Sequence, residues 1–330
     1  MIIDTHAHLV PAPMLEALNT AISRFPSIEL LHEAGKYRLA FAGGAPTRPI
    51  AADLQDTDRR LEWMDRETVD VQIVGGWLDA FGYELPPDEG LEWARFTNEW
   101  LLAGTRSERL VPIATVPLQS GRHAATALEE ALAAGFTGFM LGTQPFGASG
   151  NLDDPQLDPF WEAASDRGAA LFLHPMFGCG DARLADYGMI NAVGRGLDTT
   201  TAVARLLFSG HLEKYPGLKI VLSHGGGALP YLVGRLKRNH AIMPNEVADP
   251  VAGFRKLWFD SVLFDPASLR YLRDVVGADR IVLGSDYPFP IGDPNPVRIV
   301  RAAGLGADEE RRILGETAAS LFHVHEHARP

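Results

Sequence analysis

The chain has 330 residues, 46% of them hydrophobic and 22% charged, the composition of a globular protein with a large core. Its formal net charge of -12 sets the whole-molecule field against nucleic acid and anionic membrane surfaces, although a few arginines in a pocket would still hold an anionic substrate. Cys179 is the only cysteine, which excludes an intramolecular disulfide, and with no basic leader and no apolar run long enough to span a bilayer the expected location is the cytoplasm.

One rhythm repeats along the chain: a short apolar run, a loop, then a longer amphipathic segment. The runs cover residues 1–3, 69–75, 110–116, 138–141, 169–173, 218–222, 257–262 and 280–283. Most are rich in Val, Ile, Leu or Phe with little polar alternation, as parallel strands buried on both faces are. Residues 26–50 break the rhythm. Alternation over 36–41 followed by Gly43-Gly44 predicts a small hairpin inserted into the first strand-to-helix connection, at the functional rim. Helices are expected near 53–64 and over 88–106, 122–134, 157–167, 199–214, 229–239 and 266–276, with a last one after Ala307. Eight strands alternating with helices, and no glycine-rich dinucleotide fingerprint after the first, favour a closed (β/α)8 TIM barrel over a doubly wound sheet. No linker or low-complexity segment divides the chain, so residues 1–330 are expected to form one α/β domain carrying that insertion.

The chemistry begins at once, with Ile3-Asp4-Thr5-His6-Ala7-His8. Two histidines one residue apart at a strand end project to the same side and can take two positions around one metal ion, about 2.0–2.1 Å from it for zinc. Alone, the pair also fits ordinary strand-end histidines. Three later runs end the same way: Leu171-Phe172-Leu173-His174-Pro175, Val221-Leu222-Ser223-His224-Gly225, and Leu283-Gly284-Ser285-Asp286-Tyr287-Pro288. C-terminal strand ends of a barrel converge on one mouth, so this recurrence points to a metal site rather than to scattered core histidines.

In that combination the motifs resemble the amidohydrolase superfamily. Ile-Asp-Thr-His-Ala-His, Leu-His-Pro, Ser-His-Gly-Gly-Gly and Gly-Ser-Asp-Tyr-Pro-Phe are similar to its branch of α-amino-β-carboxymuconate-ε-semialdehyde decarboxylase and related aromatic-acid decarboxylases (the amidohydrolase 2 family). The likeness runs from Ile2 to about Phe322. It implies that His6, His8, His174 and Asp286 ligate a divalent metal, zinc first with manganese also in use within the branch. Dinuclear members carry a bridging lysine or carboxylate on the fourth strand. Here Gly138-Phe139-Met140-Leu141-Gly142-Thr143 has neither, so one metal is expected. His224 is implied to be an acid/base outside the ligand set, with a fifth ligand as the other option. The implied reaction is metal-dependent, non-oxidative decarboxylation of a planar unsaturated or aromatic carboxylic acid. Asp286 or a metal-held water protonates the carbon, and the sequence leaves that choice open.

Substrate contacts are sparser. Arg235, eleven residues after His224 on the following helix, is implied by the resemblance to reach the neighbouring subunit's site, which makes the protein a homodimer; beside Lys237 and Arg238 it also reads as a solvated helix arginine. Arg48, where the insertion returns to the barrel, matches family arginines that contact substrate, although the wording before Glu62-Trp63-Met64-Asp65 departs from the family. Trp77 and Phe177 lie just past strand ends and are candidates to stack on a planar substrate; Phe177 stands where the family commonly has a tryptophan close behind its His-Pro. His323, His325 and His327 fall in a polar tail, and His32, His123, His211 and His240 have no partner motif, so none is assigned chemistry. Gly225–Gly227 is no phosphate loop, lacking a following Lys-Ser/Thr, and is expected to let the backbone pass close to the site. Two other functions fit the residues: a hydrolase or hydratase attacking a lactone, amide or C–C bond with activated water, and a metal-binding protein without catalysis. His224 argues against the second, because a storage site needs no unligated histidine.

Overall fold

The structure, a computed structural model, describes residues 1–147, 150–176 and 181–325. Among these residues eight parallel strands carry the fold: β1 (Ile3–Leu9), and, beyond a two-stranded insertion, β4 (Val71–Gly76), β5 (Leu110–Pro112), β6 (Gly138–Gly142), β7 (Ala170–His174), β8 (Lys219–Leu222), β9 (Trp258–Asp260) and β10 (Ile281–Val282). They pair in chain order as a sheet β1-β4-β5 and a sheet β6-β7-β8-β9-β10. Single parallel bridges join the two sheets at both seams, Ala114 to Phe139 and Ala7 to Tyr287. Thr5 N donates to Leu283 O at 2.8 Å and Met140 N to Ala114 O at 2.8 Å, so the ring of strands closes on itself. This is the (β/α)8 architecture that the alternation of runs and helices predicted.

Helices follow the strands on the outside, among them Pro87–Gly104, Gly121–Ala133, Asp158–Arg167, Leu229–Ile242 and Pro266–Val276. Their starts are chemically marked: Asp265, for example, accepts from Ser268 N at 3.1 Å as an N-cap. The interior is filled by Ile3, Ile73, Phe139, Phe172, Val221 and Phe259, all essentially inaccessible.

The insertion is a hairpin, β2 (Ile28–Glu33) against β3 (Lys36–Phe41), antiparallel with Glu33 opposite Lys36. Its turn is Ala34-Gly35, both at positive φ (48° and 75°), the backbone that a two-residue hairpin loop requires, and not Gly43-Gly44. The hairpin sits on a side core of its own, in which Phe25 and Phe41 pack around Trp93 at ring distances of 5.4 and 5.9 Å.

Two sequence expectations are corrected here. The first strand extends through Leu9, so His6 and His8 lie within it rather than past its end, since the polar letters of Asp4 to His8 concealed residues that are all fully buried. The helix expected over 199–214 begins at Arg195 and stops at Phe208, because Gly210 turns the chain at φ 74° before a short helix, His211–Lys214.

Candidate metal centre

Period two on β1 turns His6 and His8 to the same side, their ring centroids 5.3 Å apart. His174 closes β7 with its ring 5.1 Å from His6 and 5.0 Å from His8. Asp286 follows β10 in a left-handed conformation, φ 62°, and its amide donates to His6 O at 2.8 Å. Its Oδ1 lies 3.3 Å from His6 Nε2 and 3.2 Å from His8 Nε2. One donor atom from each of these four buried residues falls within 4.8 Å of all the others.

The outer face of each imidazole is committed. His6 Nδ1 meets Asp260 Oδ2 at 2.7 Å, His8 Nδ1 meets Gly76 O at 3.1 Å, and His174 Nδ1 meets Pro175 O at 2.9 Å. These oxygens accept, so each Nδ1 carries a hydrogen and each Nε2 points inward. Asp260 is itself fixed, accepting from Gly225 N at 2.8 Å and Val262 N at 3.1 Å. All three Nε2 atoms and Asp286 Oδ1 are buried without a hydrogen-bond partner among the described residues. Polar atoms that face one another sealed from water are costly unless a cation sits among them. Three nitrogens and one carboxylate oxygen suit a divalent metal ion of the zinc or manganese kind, so the residues fit the group.

Charge follows the same plan. Burial pushes His8 and His174 down from the ordinary imidazole value, His174 strongly, which keeps both rings neutral. For His6, burial opposes the charge, but Asp286 and Asp260 outweigh it and hold the ring up at about 10. Burial would also raise Asp286, yet the charge of His6 and the close approach of His224, His6 and His8 to its oxygens keep its carboxyl well below the usual range. The chain alone therefore stores one proton in the cluster, on His6, where a cation would stand in its place.

His224 stands outside the four. Its Nε2 is 3.4 Å from Asp286 Oδ2, the oxygen turned away from His6 and His8. Its ring is 5.2 Å from His6 and 5.1 Å from His174. The backbone from His224 to Gly227 is left-handed throughout, with φ of 54°, 59°, 75° and 62°. A Cβ at Gly225 would strike Leu263 and one at Gly227 would come within 2.3 Å of Gly196 O, so only glycine fits behind the histidine. A left-handed histidine costs on the order of 1–3 kcal/mol and persists because its surroundings over-determine it.

At the rim, Thr47 N donates to Leu39 O at 2.7 Å and Ile50 N to Tyr37 O at 2.8 Å, which strings residues 47–50 along the hairpin. Arg48 between them meets Asp79 Oδ2 at 3.2 Å and lies over the rings of Trp77 and Phe289 at 5.7 and 6.0 Å. Phe289 in turn is 5.2 Å from the His8 ring, so Arg48 is one ring away from the cluster. Trp77 is buried, with Arg48 laid across it. A cleft of about 270 Å³ opens here, lined by Arg48, Asp79, Gln144 and Met176 among others. Arg235 is exposed on Leu229–Ile242. Phe177 lies outside the described residues, as do Cys179 and His327.

Two residues beside the four escaped the sequence reading. Asp260 ends β9 as His174 ends β7, a signal that was present inside the run 257–262. Arg195 gave no such signal, because Gly194-Arg195-Gly196 reads as loop although it opens a helix.

A family model described as amidohydrolase matches residues 3–324. The chain is similar to the 2-amino-3-carboxymuconate-6-semialdehyde decarboxylase of Dictyostelium discoideum, 28% identical over 329 residues, covering 97% of this chain and 91% of that one. Among solved structures it resembles the 5-carboxyvanillate decarboxylase of Sphingomonas paucimobilis, with TM-score 0.80, 25% identity and coverage of 98% and 99% of the two chains. It also shares the fold of the 5-carboxyvanillate decarboxylase of Novosphingobium aromaticivorans, solved with manganese and 4-hydroxy-3-methoxy-5-nitrobenzoic acid, at TM-score 0.80, 21% identity and coverage of 98% and 96%.

Proposed function

The chain belongs to the amidohydrolase family, and on that footing we propose that it is a metal-dependent, non-oxidative decarboxylase of a planar unsaturated or aromatic carboxylic acid. The observation that carries the reading is the division of labour at Asp286: Oδ1 faces His6 and His8, while Oδ2 faces His224. A storage or structural site has no use for the second half of that arrangement. Similarity to named decarboxylases over nearly the full length supports the choice of reaction.

In this reading His6, His8, His174 and Asp286 hold one divalent metal ion, zinc first and manganese second. Bound there, the ion supplies Lewis-acid and template chemistry for a carboxylate or an adjacent oxygen. Everything else falls to the chain. Arg48, backed by Trp77 and Phe289, binds an anionic group of the substrate. The bond between the ring carbon and its carboxylate breaks, the electron pair stays on carbon, and CO2 leaves. The proton that takes its place starts from His224 Nε2 and passes through Asp286 Oδ2, 3.4 Å away, which carries it only in transit and is otherwise ionised. The protein works as a homodimer in the cytoplasm, with Arg235 serving the partner subunit's site. Among the described residues no helix is long and apolar enough to cross a membrane.

The test is metal analysis followed by a screen of hydroxybenzoates, muconate semialdehydes and dicarboxylated aromatics for CO2. Release of CO2 without net uptake of water supports the reading. Consumption of water with no CO2, from a lactone, amide or C–C substrate, overturns it in favour of a hydrolase or hydratase.

A further inference from the structure

The start of the helix Arg195–Phe208 is held between two of the site's loops. On one side Arg195 Nη1 donates to Pro175 O at 3.5 Å, the same carbonyl that receives His174 Nδ1 at 2.9 Å. On the other, Gly196 packs against Gly227 closely enough to exclude any side chain there, and Ala228 N donates to Thr200 Oγ1 at 2.9 Å. The guanidinium is thus set at the mouth between the end of β7, which carries His174, and the loop after β8, which carries His224.

The turn behind Arg195 is anchored with equal care. Asp198, buried and three residues on, accepts from Thr143 Oγ1, from Gln144 Nε2 at 3.0 Å and from Met176 N at 3.0 Å. Gln144 and Met176 line the cleft that Arg48 also lines. Arg195 Nε is oriented by Asn191 Oδ1 at 2.9 Å. The part-buried guanidinium is lowered by burial, while Asp286 is the largest charge acting on it and Arg48 acts in the opposite sense. A permanent cation so placed, beside the carbonyl that orients His174 and within the fields of Asp286 and Arg48, is positioned to meet an acid that enters between them.

We propose that Arg195 is a substrate-contacting, specificity-determining residue of this chain's own site: its guanidinium binds a second carboxylate of the substrate, distinct from the one that leaves, and selects planar acids with two carboxylates over those with one. The proposal rests on the decarboxylase reading above. Asp198 is its positioning residue, acting through the helix start rather than on substrate.

The test uses the metal-loaded protein and two inert ligands that differ by one carboxylate, 2-nitrophenol and 4-hydroxy-3-nitrobenzoate. Their nitro group has the planar shape of a departing carboxylate and does not leave. Calorimetry should find the carboxylate-bearing ligand bound about tenfold or more tightly by the unaltered protein, the scale of a charge-assisted hydrogen bond. Arg195→Met should reduce that preference to within roughly threefold while leaving 2-nitrophenol binding and metal content unchanged, and Arg195→Lys should restore part of it. Equal weakening of both ligands, an intact preference in Arg195→Met, or no preference in the unaltered protein overturns the role of Arg195. Failure of the unaltered protein to bind either ligand, with no CO2 from any acid in the screen, overturns the decarboxylase reading and this proposal with it.

Discussion

The metal cluster and the rim are separated by the ring of Phe289 and are held by different means. In the cluster each functional group sits on or just after a barrel strand and is buried, and each histidine has its outer nitrogen committed to an oxygen, as His6 has to Asp260 and His174 to Pro175. At the rim the groups ride on an inserted hairpin and a helix start, and are steadied by stacking and ion pairing, as Arg48 is by Trp77 and Asp79. A barrel whose strands pair over hundreds of residues of chain can hold atoms to a fraction of an ångström. A hairpin on its own side core can change its arginine without disturbing the strands. The chemistry is therefore expected to belong to the fold, and the choice of substrate to its additions.

The sharpest way to break that contrast is to remove a ligand. His174→Ala leaves three donors in a set with no spare, so metal should fall from about one per chain to under roughly a tenth of that, with activity lost together. Elemental analysis beside CO2 release checks it, and a reproducible two metals per chain in the unaltered protein would contradict the single-metal site. Next comes His224→Ala, which should keep its metal while kcat drops by roughly 10²–10⁴. A metal-free His224→Ala would move that histidine into the ligand set.

Asp260→Asn tests the outer contact of His6. Loss of the carboxylate should weaken metal binding by roughly 10–100-fold in a chelator competition, with kcat at saturating metal little changed. On the helix Leu229–Ile242, Arg235→Ala should lower kcat/KM by about tenfold with metal content intact. Mixed with His174→Ala chains, it should regain a fraction of activity, because one site of the heterodimer then combines an intact cluster with the partner's intact arginine. No regain, with exchange confirmed by native mass spectrometry, would confine Arg235 to its own chain. The smallest effect is a proton count. His6 is held charged up to about 10 in the chain alone, while His8 and His174 are pushed towards neutrality. Near neutral pH metal binding should release about one proton, so affinity rises with pH until about 10 and falls in acid. Calorimetry in buffers of different ionisation enthalpy measures it; release of no proton would mean that His6 is neutral before the metal arrives.

What the sequence determined by itself was local and periodic. An apolar run that stops at a histidine or aspartate marks a strand end, and the spacing of His6 and His8 fixes their common side, so the (β/α)8 alternation and the residues of the cluster were legible as letters. Asp260 carried the same signal and was passed over, because an aspartate inside an apolar run gives no hint of which imidazole it will meet. Only closure of the barrel decided that, together with Ser285 N against Asp4 Oδ1 at 2.9 Å across 281 residues of chain. The rim was less legible still. Arg48 depends on a hairpin whose turn, Ala34-Gly35, is set by backbone dihedrals, and Arg195 on a helix start that packs where Gly227 leaves room. Sequence patterns report which side of a strand or helix a residue faces, because that periodicity is built into the backbone. Which two distant residues then meet is set by how the packed elements close against one another, and no local pattern encodes it.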